Sequence, residues 1–527
     1  MIIDKSYSFI GIGKFQKYLI FSLINCSFLV AIISLSYSYL TKLPSFLCRS
    51  NPNENYTKCD FNEEKFCNNP TFEYIKDPSN SLINWAYSFD LYCNNSIYIP
   101  IIGSGFFIGG IFGCLIITPL PDKYGRKIIF QITLTISCII HYLILFSFNP
   151  FLLSLFCIIS GFISSIYGNF SVIVSEYISK DISGIIMSIV DAIYPTMGFL
   201  EAFFFMTINN WRILFLITSI LHTLSTYIIL FYLVESPKWL LSQGKIEETL
   251  NSLRKISSFN NKENEWLTYE KIELKNFKIK ENSQNKNIKN PNDKNISYSI
   301  IEILQKFPSQ RKVIFILSIT FFSSSFCFYG IILSLSSMKG NFFINSLLSF
   351  LGESISELSS GFISQKIGRV PILKYGGLIG SIGFIGNQFA IYNLKSIFLL
   401  ISMMGFSSTL NCLYIYTPEI IPTKIRSTVC GMLYFFGMIS PSFVPIFKSV
   451  FYNFFTFFFI FFGFFYSFFC FFLEETLNKN ISDDIPEENF NHLRNFSEED
   501  FYQEEIRVID DYNRKSFGRR NNSLMFE

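Results

Sequence analysis

The chain is a succession of long apolar runs broken by polar connections, with neither strand alternation nor a one-sided helical stripe. A helix that crosses a bilayer needs about 20 mostly apolar residues. Twelve stretches reach that length, at 18–40, 97–119, 128–148, 151–174, 184–206, 212–234, 311–335, 343–364, 372–392, 395–418, 427–449 and 454–473. The first is too long for a signal peptide and no small-residue cleavage site follows it, so it is read as a retained helix. Most connections are short, so successive helices run antiparallel. The expected fold is an all-α membrane protein of twelve transmembrane helices in two six-helix halves.

The same pattern sets the domain plan. Residues 1–17 form an N-terminal segment, 18–40 the first helix and 41–96 a large loop. Helices two to six occupy 97–234, a central loop 235–310, helices seven to twelve 311–473, and a tail 474–527.

Composition narrows the class. Of 527 residues, 50% are hydrophobic and 16% charged, against about 25% charged in soluble chains. Mean hydropathy is +0.35. A soluble enzyme, a disordered scaffold and a nucleic-acid binder all fit this balance poorly. The net charge of +3 matters less than where the charges sit. Positive charge stays on the cytoplasmic side of short loops. Lys123, Arg126 and Lys127 fill one loop, Lys366 and Arg369 another, Lys424 and Arg426 a third, while alternate loops are poor in it. That places both termini and the 235–310 loop in the cytoplasm and the 41–96 loop outside, in a multi-pass protein expected at the plasma membrane.

The cysteines agree with this placement. Four of the 12 cluster in the outer loop, at Cys48, Cys59, Cys67 and Cys93. They predict two disulfides, with three pairings open. The loop also carries glycosylation sequons at Asn55 and Asn94.

Two blocks repeat. TPLPDKYGRK (118–127) follows the second helix and GFISQKIGRV (361–370) the eighth. Parallel repeats of this sort mark transporters built from two related halves. The loops read as a cytoplasmic clamp. Asp122 accepts, Gly125 permits a tight turn, and Arg126, with Lys127 beside it, aims its donors at facing helix ends. Arg369 takes the equivalent place in the second half.

The pattern after helix two resembles the signature of the major facilitator superfamily, with Thr118 where that signature has Gly. Further blocks resemble its organic cation, anion and zwitterion transporter family: GKFQK (13–17), FDLYC (89–93), NNWRILF (209–215), VESPKWLLSQGKIEE (234–248), FYG (328–330) with KGN (339–341), TPEIIPTKIRS (417–427) and LEETLNK (473–479). They span nearly the whole chain in the expected order. The resemblance implies a twelve-helix alternating-access carrier whose cytoplasmic gate includes Glu176, Glu235, Glu419 and Arg426. Departures thin that gate: Ser183 stands where the family has Arg seven residues after Glu176, and no Arg lies in helix four. In the last block Glu474 replaces a Pro. Helix eleven has no charge between Arg426 and Lys448, where relatives often carry one.

Ionisable groups at membrane depth cost about 2.5–3.5 kcal/mol on insertion scales, which makes them functional candidates. The mid-helix set is acidic: Asp191, Glu201, Glu353 and Glu357. Glu353 resembles the Glu of cation carriers in helix eight, and Glu357 lies one turn on. Asp191 stands 20 residues before Trp211, where the resemblance implies a cavity-facing Gln. By the same resemblance Tyr167, Phe321, Phe328 and Tyr329 surround the substrate. Glu201 is read as an outer, hydrated group, and His141 and His222 as neutral and packed. Carboxylates among aromatic rings suit an organic cation, through charge and cation–π contact. The expected activity is carriage of a small organic cation across a bilayer. The alternatives are a carrier of zwitterionic or neutral solutes (carnitine-like molecules or sugars) and a transport-inactive receptor or scaffold. No nucleotide-binding loop, nucleophile–base pair or metal-spaced His/Cys set occurs, so neither an enzyme, a cofactor nor a metal is expected.

Overall fold

The computed structural model describes residues 7, 10–49, 55–68, 72–166, 173, 176–178, 180–264, 266–267, 302–303, 305, 308–338, 340–421, 425–450 and 454–477. Each apolar stretch carries one principal helix. The first half holds α1 Lys14–Ser34, α2 Tyr98–Ile116, α3 Arg126–Leu145, α4 Pro150–Ser164, α5 Lys180–Thr207 and α6 Trp211–Tyr232. The second holds α7 Pro308–Ser334, α8 Phe342–Ile367, α9 Arg369–Phe389, α10 Tyr392–Ile420, α11 Arg426–Val450 and α12 Phe455–Cys470.

Among the described residues, seven of these have both the length and the hydropathy of a membrane span, and α4 and α12 are shorter apolar helices. Two of the remainder, α8 and α9, fall short through composition. The buried side of α8 is polar, with Ser346, Ser349, Glu353, Ser356, Ser360 and Ser364. The five serines bond to backbone carbonyls, which offsets their cost, whereas Glu353 has no such partner among the described residues.

Helix starts follow local chemistry. Asn149 caps α4 with Pro150 at the first helical position, Asn210 caps α6, and Asn341 accepts from Phe343 and Ile344 to open α8.

Packing repeats between the halves. In the first, α1 lies on α5 and α6, α2 on α4, and α3 on α4 and α6. In the second, α7 lies on α11 and α12, α8 on α10, and α9 on α10 and α12. Adding six to each label maps one set on the other. The halves meet along α2 with α11 and α5 with α8, which exchange under the same rule.

The 41–96 loop corrects the all-α expectation. It folds into an antiparallel sheet, order β2-β1-β3, from β1 Phe46–Arg49, β2 Thr57–Cys59 and β3 Glu73–Lys76. Strands of three or four residues are too short for alternation to reveal. Phe46, Cys48 and Phe66 form their core, with Phe61, Phe72, Tyr74 and Tyr92 packed around it. The disulfides are Cys48–Cys59 and Cys67–Cys93. Asn55 and Asn94 are exposed. The loop is anchored to the bundle where Ile83 bridges Asn210 and Trp85 packs on Trp211 and Phe215. This end of the bundle is called the sheet end, and the opposite one the clamp end.

At the clamp end the connection after α6 forms helices Pro237–Ser242 and Ile246–Phe259. Asn260, just past the second, accepts from the Phe15 amide at 2.9 Å and donates to Gln16 at 2.9 Å, tying this segment to the start of α1.

Candidate functional site

Two constellations emerge, one at the clamp end and one at mid-depth. In the first half, Gly125 takes φ +101° to turn the chain into α3. A Cβ there would strike the Glu235 carboxylate, so the position needs glycine on two counts. Arg126 then forks onto Glu176, with Nε at 2.9 Å and Nη2 at 2.8 Å from Oε1, while Nη1 pairs with Asp122 at 2.7 Å. Glu235 accepts from the backbone amides of Arg126 (2.8 Å) and Lys127 (3.2 Å), closing the N-terminus of α3. That combines a hydrogen-bond cap with a charge favoured by the helix dipole.

The second half builds the same device. Gly368 takes φ +99° before α9, and a Cβ there would strike Glu475. Arg369 Nη2 pairs with Glu419 at 2.9 Å. Glu475 accepts from the amides of Arg369 (2.9 Å) and Val370 (3.0 Å). Each half adds a tyrosine: Tyr177 donates to the Val234 carbonyl and Tyr416 to the Glu474 carbonyl, both at 2.7 Å. Glu419 also accepts from Thr476 Oγ1 at 2.7 Å. Burial pushes the Glu475 carboxyl up, but backbone donors at Arg369, Leu477, Val370 and Thr476 outweigh it and hold the group below the usual carboxylate range. Glu475 was missed in the sequence. Its signal was there, since VESP and LEET end the two halves in the same way.

The mid-depth site lies where α5 meets α8. Glu353 is wholly buried, and neither carboxylate oxygen has a hydrogen-bond partner among the described residues. The Tyr329 hydroxyl is hydrogen-bonded to Tyr194, whose own hydroxyl lies 2.7 Å from Ser34 Oγ. Both phenols lie within electrostatic reach of Glu353, and Tyr329 within reach of Glu357 as well. Phe107 and Phe328 pack edge-on to Tyr329, with ring centroids at 5.0 and 4.9 Å. Ser34, Phe107 and Tyr194 come from the first half, and Phe328, Tyr329, Glu353 and Glu357 from the second.

The other sequence candidates fall elsewhere. Phe321 joins a separate trio, 5.6 Å from Tyr414 and 5.9 Å from Tyr434. Tyr167 lies outside the described residues, as do the side chains of Asp191 and Arg426, whose backbones sit in α5 and α11. Glu201 does not lie at the surface: it is 1% exposed, and Ser36, just past the end of α1, donates to it at 2.6 Å. His141 and His222 are buried in the first half, their rings 5.8 Å apart. Tyr194 and Ser34, which join the mid-depth site, carried no signal in sequence, being ordinary polar residues in apolar helices.

A family model described as Major Facilitator Superfamily matches residues 68–445. The chain belongs to the major facilitator superfamily. Among curated relatives, Solute carrier family 22 member 6-A of Xenopus laevis is 25% identical over 437 residues, covering 79% of this chain and 74% of that protein. Organic cation/carnitine transporter 2 of Rattus norvegicus is 26% identical over 368 residues, covering 68% of this chain but 63% of the relative, under two thirds of its length. Organic anion transporter 3 of Sus scrofa is 26% identical, over 71% and 67% of the two chains. Among solved structures, the inward-open xylose transporter XylE from E. coli superposes with TM-score 0.57 at 15% identity, covering 89% of this chain and 98% of that one. XylE bound to 6-bromo-6-deoxy-D-glucose gives 0.54, also at 15%. At that identity the likeness shows the major facilitator fold alone. The repeated packing of α1–α6 and α7–α12 is the internal symmetry on which the superfamily fold is built. These relatives and neighbours are transporters by name, and the chain is no enzyme.

Proposed function

We propose that this major facilitator protein carries small organic cations across a membrane by alternating access, with Glu353 as the counter-charge. The observation that carries the reading is the Glu353 carboxylate, buried at the seam of the halves with neither oxygen partnered among the described residues and phenol and phenyl rings on its flank. A buried anion without a partner is costly, and a cation that brings its own positive charge relieves that cost. Ring faces add cation–π attraction of about 0.5–2 kcal/mol.

On this reading all twelve helices cross the membrane. The clamp end, with Lys123, Arg126, Lys127, Lys366 and Arg369, faces the cytoplasm together with both termini, and the disulfide sheet faces outward. The clamps hold each half's helix ends together while the halves rock about the central site. The plasma membrane is the proposed location.

The test is uptake into proteoliposomes of a panel of small organic cations, anions and sugars, for the native protein and Glu353→Gln. Cation uptake that exceeds the rest and falls at least about tenfold in the variant, equivalent to 1.4 kcal/mol, supports the reading. A preference for anions or sugars, or uptake indifferent to Glu353, overturns it. Zwitterion carriage is the second reading. It is favoured by the absence of charged side chains between Arg426 and Lys448, and it fits a relative named for both cations and carnitine. Ligand binding without counterflow would mark a transport-inactive receptor.

A further inference from the structure

Glu201 plays no part in the site just described, yet its carboxylate is fully buried beside the hydroxyl groups of Ser36 and Tyr39. It lies on α5 seven residues beyond Tyr194, two turns and about 10 Å closer to the sheet end at 1.5 Å per residue. One oxygen accepts from Ser36 at 2.6 Å, and the other is buried with no partner among the described residues. Tyr39 lies within its electrostatic reach.

One turn further out, Phe205 stacks on Tyr39 at 5.1 Å, and Tyr39 meets Phe342 edge-on at 4.7 Å. Tyr39 and Phe205 belong to the first half and Phe342 to the second, so this stack closes the sheet end between the halves. Ser38 adds a bond across the same seam, donating to the Ile332 carbonyl at 2.6 Å. The aromatic rim already holds a cation. The Lys42 ammonium sits over Phe342 at 4.3 Å and over Phe343 at 5.3 Å.

We propose that Glu201 is a second carboxylate subsite for a monovalent positive charge, occupied by the cargo's cationic group on its way between the sheet end and Glu353, with Lys42 as a tethered stand-in while the Phe205–Tyr39–Phe342 stack is shut. The subsite rests on the cation reading above. The order along the path is rim, Glu201, then the Tyr194–Tyr329–Glu353 site. An arriving ammonium displaces Lys42 from the ring faces, the stack parts, and the free oxygen of Glu201 supplies the next attraction inward. Two carboxylates in series keep each step shallow, which favours passage over trapping, as in multi-site conduction.

Tetramethylammonium is the probe, since it has charge but no hydrogen-bond donor. Its KM is measured for transport from each face of oriented proteoliposomes, with sodium chloride and with iso-osmotic sucrose. Glu201→Gln should raise KM about tenfold from the sheet-end face and much less from the clamp-end face. Glu201→Asp should recover part of the loss. Lys42→Gln, a substitution at the rim, should lower KM from the sheet-end face, and it decides the matter if Glu201→Gln does not reach the membrane. Unchanged KM in these variants, or an equal change on both faces, overturns the subsite. A shift that vanishes in sucrose overturns its assignment to the cargo and gives it to sodium. Where Glu353→Gln abolishes transport but Glu201→Gln and Lys42→Gln do nothing, this proposal falls alone. Where Glu353→Gln does nothing, the cation reading falls and takes this subsite with it.

Discussion

Arg126 and Arg369 each hold a carboxylate 50 residues further along the chain, Glu176 in the first half and Glu419 in the second. The two pairs are not equal in strength. Arg126 and Glu176 are nearly buried, at 10% and 11% side-chain exposure, and the arginine grips a second acid, Asp122. Glu419 is 32% exposed and keeps the Thr476 hydroxyl as a second donor. Arg126→Ala strands a buried acid and should cost about 3–5 kcal/mol. Arg369→Ala leaves a wetter, still-bonded acid and should cost clearly less. Arg126→Lys keeps the charge and loses the fork, so it should fall between wild type and Arg126→Ala. Thermal unfolding in detergent ranks the three, and an Arg369→Ala loss equal to that of Arg126→Ala would contradict the argument.

Glu475 predicts a pH dependence. Its folded carboxyl titrates below the usual value because backbone amides stabilise the charged form. Its contribution is therefore complete above the ordinary carboxylate range near 4.5 and drains away as pH falls through the lower, folded value. Glu475→Gln removes the charge-assisted cap and should cost about 0.5–1.5 kcal/mol at neutral pH, toward the low end because the site is partly wet. The melting-temperature gap between wild type and Glu475→Gln should narrow as the buffer is acidified below pH 4.5. A gap that holds constant to pH 3 would remove the carboxylate from the explanation.

The disulfides predict a ranking. Cys48–Cys59 closes 11 residues and Cys67–Cys93 closes 26. In the chain-entropy account the longer loop gains about 0.8 kcal/mol more from closure, on a scale of about 2–4 kcal/mol per bridge. The Cys67→Ser, Cys93→Ser pair should thus loosen residues 41–96 more than the Cys48→Ser, Cys59→Ser pair. Hydrogen exchange over β1 and β3 reads the difference, and the reverse order would point to packing by Phe46 and Phe66 as the dominant restraint.

The helices were legible because bilayer thickness forces long apolar runs, and twelve such runs stand out from short polar breaks. The clamp was legible in part because its arginines and glycines recur at matching places, Gly125 with Arg126 and Gly368 with Arg369. Glu475 escaped because it caps a backbone 106 residues earlier, and the one trace of that role was the likeness of the two half-ends, Glu235-Ser236 and Glu475-Thr476. The sheet escaped because its strands are short and its core aromatics are dispersed along a polar loop. At mid-depth the acids declared themselves through the cost of burying charge. Tyr194 and Ser34 did not, since a hydroxyl in an apolar helix is inexpensive once bonded, and only packing shows Ser34 meeting Tyr194 and Tyr194 meeting Tyr329.

Tyr329 separates a cation site from a neutral one. Its ring lies among Phe107 and Phe328, and its hydroxyl joins Tyr194 beside Glu353. Tyr329→Phe keeps the ring and deletes the hydroxyl, whereas Tyr329→Leu deletes both. A cation attracted by the ring face should lose about 0.5–2 kcal/mol in the leucine variant and little in the phenylalanine one, about 2- to 30-fold in KM at 1.4 kcal/mol per decade. A sugar or other neutral solute reads the hydroxyl instead, and would lose most of its affinity already at Tyr329→Phe. KM values for tetramethylammonium uptake in the two variants therefore decide which chemistry the pocket recognises: equal losses in both variants would mean that the hydroxyl, not the ring, holds the cargo.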